Sequence, residues 1–127
     1  MLGSHPIVAF VATRDADRAR AFYEGVLGLR VVADEPFALV LDAHGTMLRV
    51  QKVPELTPPR HTVLGWLVPE IAGAVDQLAA EGVAFERYPG LPQDDRGVCT
   101  FPGGSRVAWF KDPDGNTLSL TQMEGAR

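Results

Sequence analysis

The sequence predicts an α+β fold of two paired βαβββ modules. Its eight main strands would form one mixed sheet or an incomplete barrel, with two helices on the outer face. Three anchors recur in the same order: an acidic residue where the helix begins, a glycine where it ends, and an Asp-x-x-Gly turn before the last strand. These anchors are Asp15, Gly28 and 42–45 in the first half, and Glu70, Gly82 and 112–115 in the second. We expect one domain over residues 1–127, with module one at 6–53, a connector at 54–61 and module two at 62–122.

The first module begins with a segment rich in β-branched and aromatic residues at 7–13, which predicts a buried strand. Asp15 then supplies an N-cap for a helix that Gly28 closes. The apolar residues of that helix share one face and are Ala19, Phe22, Tyr23, Val26 and Leu27. Alternating segments separated by turn residues predict three further strands, at 29–33, 37–41 and 46–53.

The second module repeats this order after a proline-rich connector. A strand at 62–68 precedes a helix whose apolar face is formed by Ile71, Ala74, Val75, Leu78 and Ala79. Strands are predicted at 83–88, 98–101, 105–111 and 117–122. The longer connection at 89–104 could be a lid over a binding site or a solvated strand connection, and both alternatives stay open.

Composition limits the classes of partner. The chain has 46% apolar and 22% charged residues and a net charge of -4, without a run of like charges, so we expect neither nucleic acid nor a membrane surface as partner. Its single cysteine, Cys99, excludes an internal disulfide framework and favours an inert thiol over a nucleophile. No basic segment precedes the first apolar run, and we expect a cytoplasmic protein.

Strand alternation predicts which side chains face away from the helices and into a concave surface. Leu48 and Val50, like Leu118 and Leu120, would pack under the helices. The side chains predicted on the concave side are Val8, Phe10, Ala12, Arg49, Val63, Gly65, Leu67, Thr117, Ser119 and Thr121. A ligand, a partner or the protein's own side chains must fill that surface.

Two groups of motifs within this repeat resemble the vicinal oxygen chelate superfamily, the group of glyoxalase I, extradiol dioxygenases and the fosfomycin- and bleomycin-resistance proteins. They are RD at 14–15 with AFY at 21–23 and VLGL at 26–29, and WFKDPDGN at 109–116. The resemblance covers residues 6–122 and implies the paired βαβββ fold. It also implies a homodimer, because relatives commonly pair two chains around their cavities.

The resemblance further implies four inward positions at which metal-using members place His or Glu, one on the first and one on the last strand of each module. Here these positions hold Val8, Arg49, Val63 and Ser119. Serine is a poor ligand for a divalent ion and a guanidinium repels one, so we expect no metal and no cofactor. His61 could line the strand mouth, but it has no second ligand at a matching place.

Arg49 allows two interpretations. A guanidinium among apolar neighbours needs a counter-charge, which a carboxylate from a neighbouring strand or chain would supply. Alternatively Arg49 anchors an anionic ligand. Tyr88 and Trp109 flank the long connection and could either line the pocket or belong to the core.

The leading hypothesis is a metal-free member of the superfamily that binds a small, partly apolar molecule. Arg49 would favour a molecule that also carries a negative charge. This is a binding role like that of the antibiotic-sequestering branch. The candidate pocket residues are Val8, Phe10, Arg49, Val63, Tyr88, Trp109 and Ser119. The rivals are a metal-dependent lyase or dioxygenase, a metal-free isomerase that uses Arg49 electrostatically, and an interaction domain whose concavity is filled by its own side chains. Whether the protein is an enzyme stays open.

Overall fold

A computed structural model describes residues 1–124 of the chain. The chain divides into two compact units, Met1–Pro58 and Pro59–Arg127, and the division falls in the proline-rich stretch of the sequence. Each unit contains one four-stranded mixed sheet built in the order βαβββ, which confirms the predicted α+β class. In the described part of the chain, no helix is long and apolar enough to cross a membrane.

The first unit contains a short 3-10 turn and one sheet whose strand order is β1-β4-β3-β2. Its elements are the 3-10 turn Leu2–Ser4, β1 Val8–Thr13, α1 Ala16–Arg20, a π-helical segment Ala21–Val26, β2 Arg30–Asp34, β3 Ala38–Ala43 and β4 Thr46–Lys52. β1 runs parallel to β4, whereas β3 runs antiparallel to both β4 and β2. Leu39, Leu41, Leu48 and Val50 are buried and form the core of this unit.

The first helix begins as predicted and changes its hydrogen bonding halfway. The Asp15 side chain accepts a hydrogen bond from the Arg18 amide, which caps the N-terminus. Beyond Arg20 the segment is π-helical, and the Leu27 amide donates to the Phe22 carbonyl five residues earlier, at 2.9 Å. Tyr23 in this wider turn is completely buried. The sequence pattern predicts the extent of the helix but not its π-helical second half.

The second unit repeats the order, with the strands arranged β5-β8-β7-β6. Its elements are β5 Thr62–Leu67, α2 Ile71–Ala80, β6 Cys99–Thr100, β7 Arg106–Lys111 and β8 Thr117–Gln122. β5 and β8 are parallel, and β7 is antiparallel to both β8 and β6. The buried side chains of Val75, Ala108, Phe110, Leu118 and Leu120 form the core.

Both ends of α2 are capped by the predicted residues. The Glu70 carboxylate accepts from the amides of Ala72 and Gly73, at 3.0 and 2.9 Å. At the other end Gly82 has a φ of 92°, and the Val83 amide donates to the Leu78 carbonyl, as in a Schellman motif. The sequence signals for helix boundaries are therefore confirmed here.

The predicted strand at 83–88 is wrong. Only Phe85 forms a β-bridge, with Phe110 on β7. The reason lies in Gln93, whose side-chain amide bonds the backbone groups that a neighbouring strand would otherwise pair. Its Oε1 accepts from the Tyr88 amide at 2.7 Å, and its Nε2 donates to the carbonyls of Glu86 and Gly97 at 2.9 and 2.8 Å. The connection therefore folds on itself instead of extending the sheet.

Candidate functional site

One row of residues crosses the sheet of the second unit. Gly65 on β5 is in register with Ser119 on β8, and Ser119 is in register with Trp109 on β7. Because in-register neighbours point to the same side of a sheet, these three positions share one face. Trp66 lies at the next position on β5 and stacks on buried Phe110, with ring centroids 6.4 Å apart. The predicted alternation of β5 and β8 is therefore confirmed at Gly65 and Ser119, and Trp109 on β7 lies on the same face.

Trp109 is the centre of an aromatic cluster on that face. The Tyr88 ring lies edge-on to it at a centroid distance of 5.5 Å, and the Phe101 ring at 6.4 Å. Partial burial, together with the nearby Glu86 carboxylate, raises the pKa of the Tyr88 hydroxyl above its ordinary value. The structure thus brings together Tyr88, Trp109 and Ser119, all predicted as site residues, and adds Phe101.

Position 65 on β5 has no room for a side chain next to Ser119. A Cβ on Gly65 would lie 2.6 Å from Ser119 Oγ and 3.3 Å from the Ser119 carbonyl oxygen. A contact of 2.6 Å is too short for a real Cβ, so any larger residue would displace the Ser119 hydroxyl and crowd the Ser119 carbonyl. Glycine at this position therefore allows β5 and β8 to pair closely at Ser119.

Val63 occupies an irregular position. The register of β5 against β8 shifts between Thr62 and Leu64, which leaves Val63 at a β-bulge without a partner on β8. Its side chain is half-buried. Simple alternation along β5 therefore does not decide where Val63 points.

In the first unit, Arg49 on β4 is in register with Phe10 on β1 and Val40 on β3. Its Nη2 donates to Glu35 Oε1 at 2.9 Å. The turn that carries Glu35 is also held by Lys52, whose Nζ donates to the Asp34 carboxylate and the Glu35 carbonyl at 2.5 and 2.8 Å. Glu35 is the carboxylate partner that one of the two interpretations of Arg49 requires.

The face that carries Arg49 is also apolar and uncovered. Val8, Phe10 and Met47 are 41%, 50% and 44% exposed. Val11 on the other side of β1 is buried, as are Leu48 and Val50 on β4. The first sheet therefore buries one face and leaves apolar side chains on the other accessible to a ligand or a partner.

The donor groups do not fit a divalent metal ion. Of Val8, Arg49, Val63 and Ser119, only serine has an oxygen that could ligate, and Arg49 carries a positive charge. Among residues 1–124, no three His, Cys, Asp or Glu side chains lie close enough together to hold a metal ion.

The chain belongs to the glyoxalase/bleomycin resistance protein/dioxygenase superfamily, whose family model matches residues 5–120. This confirms the resemblance drawn from the sequence motifs. No curated protein matches the chain significantly.

Solved structures show the same fold at low sequence identity. A glyoxalase family protein from Enterococcus faecalis superimposes with a TM-score of 0.74 at 20% identity, covering 95% of this chain and 99% of that one. Lactoylglutathione lyase from Agrobacterium tumefaciens gives 0.73 at 19% identity, with 98% of each chain covered. A glyoxalase/bleomycin resistance protein/dioxygenase from Nocardioides gives 0.68 at 22%, covering 98% and 88%. Identities this low support the shared fold alone.

Proposed function

We propose that this protein binds a small, partly apolar molecule without a metal ion, on the face of the second sheet that carries Trp109 and Ser119. The observation that supports the proposal most is the aromatic cluster of Trp109, Tyr88 and Phe101 on the face that also carries Gly65 and Ser119. Aromatic rings offer a large apolar contact area, and Ser119, although buried, is the polar side chain in register with Trp109. An apolar surface with few polar groups is typical of small-molecule sites.

The exposed face of the first sheet is the second surface that we assign to ligand contact, through Val8 and Phe10. Arg49 stands beside them, but Glu35 already balances its charge. An anionic ligand would have to compete with Glu35 for the guanidinium. We therefore propose that the apolar part of the ligand contributes more to binding than any anionic group on it.

The two tryptophans of the chain provide a test. Trp109 belongs to the proposed site, whereas Trp66 stacks on Phe110 at a neighbouring position of opposite orientation. A panel of aromatic and aliphatic carboxylates together with bleomycin is screened by thermal shift. A compound that raises the melting temperature is expected to quench the tryptophan fluorescence of the wild-type protein. The Trp66→Phe variant should retain this quenching. Trp109→Phe should lose the quenching and weaken binding about fivefold, since ring contacts contribute about 1 kcal/mol.

Equal affinity of the two variants for the same compound would contradict the proposed site.

The proposal that binding needs no metal ion has its own test, in which purified protein is titrated with nickel, zinc, manganese and iron(II). We expect weak binding only, because residues 1–124, which the structure describes, contain no matching donor set. Tight stoichiometric binding would favour the rival assignment as a metal-dependent lyase or dioxygenase.

We also propose that the protein is a homodimer. The support comes from apolar strand residues that the isolated chain leaves accessible, among them Met47 and Leu67. Light scattering at micromolar concentration should give twice the 13.7 kDa mass of the chain. Replacing Met47 by lysine should shift the equilibrium towards the monomer, whereas a wild-type mass of one chain would contradict the proposal.

A further inference from the structure

A groove of about 310 Å³ lies on the α2 side of the second unit. Its apolar part is formed by Ala79, Val83 and Phe85. The Phe85 ring packs on buried Phe110, with centroids 5.5 Å apart, so this surface is fixed from below. The volume is at the small end of the range of about 300–1,000 Å³ for ligand pockets.

The wall opposite α2 is a loop that its own side chains hold in place. Gln93 bonds three backbone groups, as described above. Asp94 Oδ1 accepts from the amides of Arg96 and Val98, each at 2.9 Å. Arg96 then reaches α2, where its Nε and Nη2 donate to the two oxygens of Asp76 at 2.9 and 3.0 Å. The groove is therefore preorganised by hydrogen bonds on both sides.

Four charged side chains line the groove, and only two of them form an ion pair with each other. Arg96 and Asp76 neutralise each other in a bidentate pair, and the hydrogen bond from Arg96 lowers the pKa of Asp76. Arg87 and Asp95 also line the groove. Arg87 Nη2 donates at 2.8 Å to the backbone carbonyl of Asp95, and neither side chain forms an ion pair with any residue in the described range 1–124. The groove is thus lined by an exposed guanidinium and an exposed carboxylate that do not pair with each other.

We infer that this groove binds a free α-amino acid with an apolar side chain. The carboxylate of the ligand pairs with Arg87, its ammonium group with Asp95, and its side chain covers Val83 and Phe85. A purely anionic or cationic ligand would satisfy only one of the two charges. The groove lies on the α2 side of the sheet, whereas the Trp109 cluster lies on the other, so this site is separate from the proposed function.

Charge-matched analogues of one amino acid test the assignment. L-leucine is titrated into the 15N-labelled protein, with L-leucinamide, which lacks the carboxylate, and N-acetyl-L-leucine, which lacks the ammonium group. We expect saturable shifts of the amides of Ala79, Val83 and Arg87 with leucine, and roughly tenfold or greater weakening with each analogue, as loss of a charged hydrogen bond implies. The inference would be overturned if leucinamide or N-acetyl-leucine bound as tightly as leucine. It would also be overturned if millimolar leucine caused no saturable shifts.

Single substitutions assign each charge to its residue. Arg87→Gln should weaken leucine binding about tenfold and leave leucinamide binding unchanged, whereas Asp95→Asn should weaken leucine and leave N-acetyl-leucine unchanged. Arg60→Gln removes another exposed arginine of the same unit and should change nothing. Trp109→Phe should retain leucine binding, so failure of the Trp109 site and failure of this groove are distinguishable. Wild-type leucine affinity in both Arg87→Gln and Asp95→Asn would contradict the assignment.

Discussion

Replacing Phe110 by alanine will lower the free energy of unfolding by about 3–5 kcal/mol, the usual cost of deleting a large aromatic side chain from a core. Phe110 is 0% exposed. Its ring contacts those of Trp66 and Phe85, at centroid distances of 6.4 and 5.5 Å. Neither neighbour can fill the cavity without leaving its own position. Urea unfolding followed by circular dichroism measures the change.

Phe37 provides the matched control, because it is the same residue type at 80% exposure. Phe37→Ala should change the unfolding free energy by no more than about 0.5 kcal/mol, as expected for a surface substitution. Similar losses for the two variants would mean that Phe110 is not a core residue. The Phe110 variant should also weaken the leucine groove, since Phe85 rests on this ring.

Replacing Asp112 by alanine will cost about 3 kcal/mol of stability. This carboxylate is buried and accepts hydrogen bonds of 2.9 Å from the amides of Asp114 and Asn116 and from Asn116 Nδ2. Hydrogen bonds to a charged group contribute about 1.5–3 kcal/mol, and deletion leaves buried donors without an acceptor. The turn leads directly into β8, which pairs with both β5 and β7. The loss should therefore affect the whole second sheet.

Two further variants test whether the loss comes from the hydrogen bonds of Asp112 or from changing any aspartate in such a turn. Asp112→Asn keeps an oxygen for the backbone amides but loses the acceptor for Asn116 Nδ2, so it should cost less than alanine. Asp42→Ala changes the aspartate at the corresponding turn of the first unit, which forms a long exposed ion pair with Arg30 at 3.7 Å. It should cost about 1 kcal/mol or less. Equal costs at 42 and 112 would refute the role given to the buried carboxylate.

Local signals made the fold predictable. Asp15 and Glu70 cap their helices through side-chain hydrogen bonds to amides two or three residues ahead, so the sequence contains both partners within one turn. The Asp-Pro-Asp-Gly turn is equally local, because Asp112 bonds Asp114 and Asn116. Strand alternation also held where pairing is regular, as at Gly65 and Ser119. Alternation does not determine the orientation of Val63, because a bulge interrupts the pairing of β5 there.

Features that depend on distant partners were not predictable in the same way. The segment at 83–88 has the composition of a strand, but the Gln93 side chain takes its backbone hydrogen bonds. Arg49 needed a carboxylate, and nothing in the sequence singles out Glu35, fourteen positions away, from the other acidic residues. Phe101 joins Trp109 through the loop between β6 and β7, whose geometry no short motif specifies. These side chains complete the sites, so sites were less predictable than strands and helices.

The parallel pairing of first and last strands determines when each sheet can be completed. Val8 pairs with Met47 and Thr62 with Thr117, which are 39 and 55 residues apart in the chain. Such non-local pairs form late, because loop closure must be achieved before they contribute. During synthesis at about 5–20 residues per second, β5 therefore waits roughly 3–11 s for β8 after it is made. The first unit has all its strands by Lys52, so the ribosome delivers a complete sheet well before the apolar strand 62–67 gains its partner.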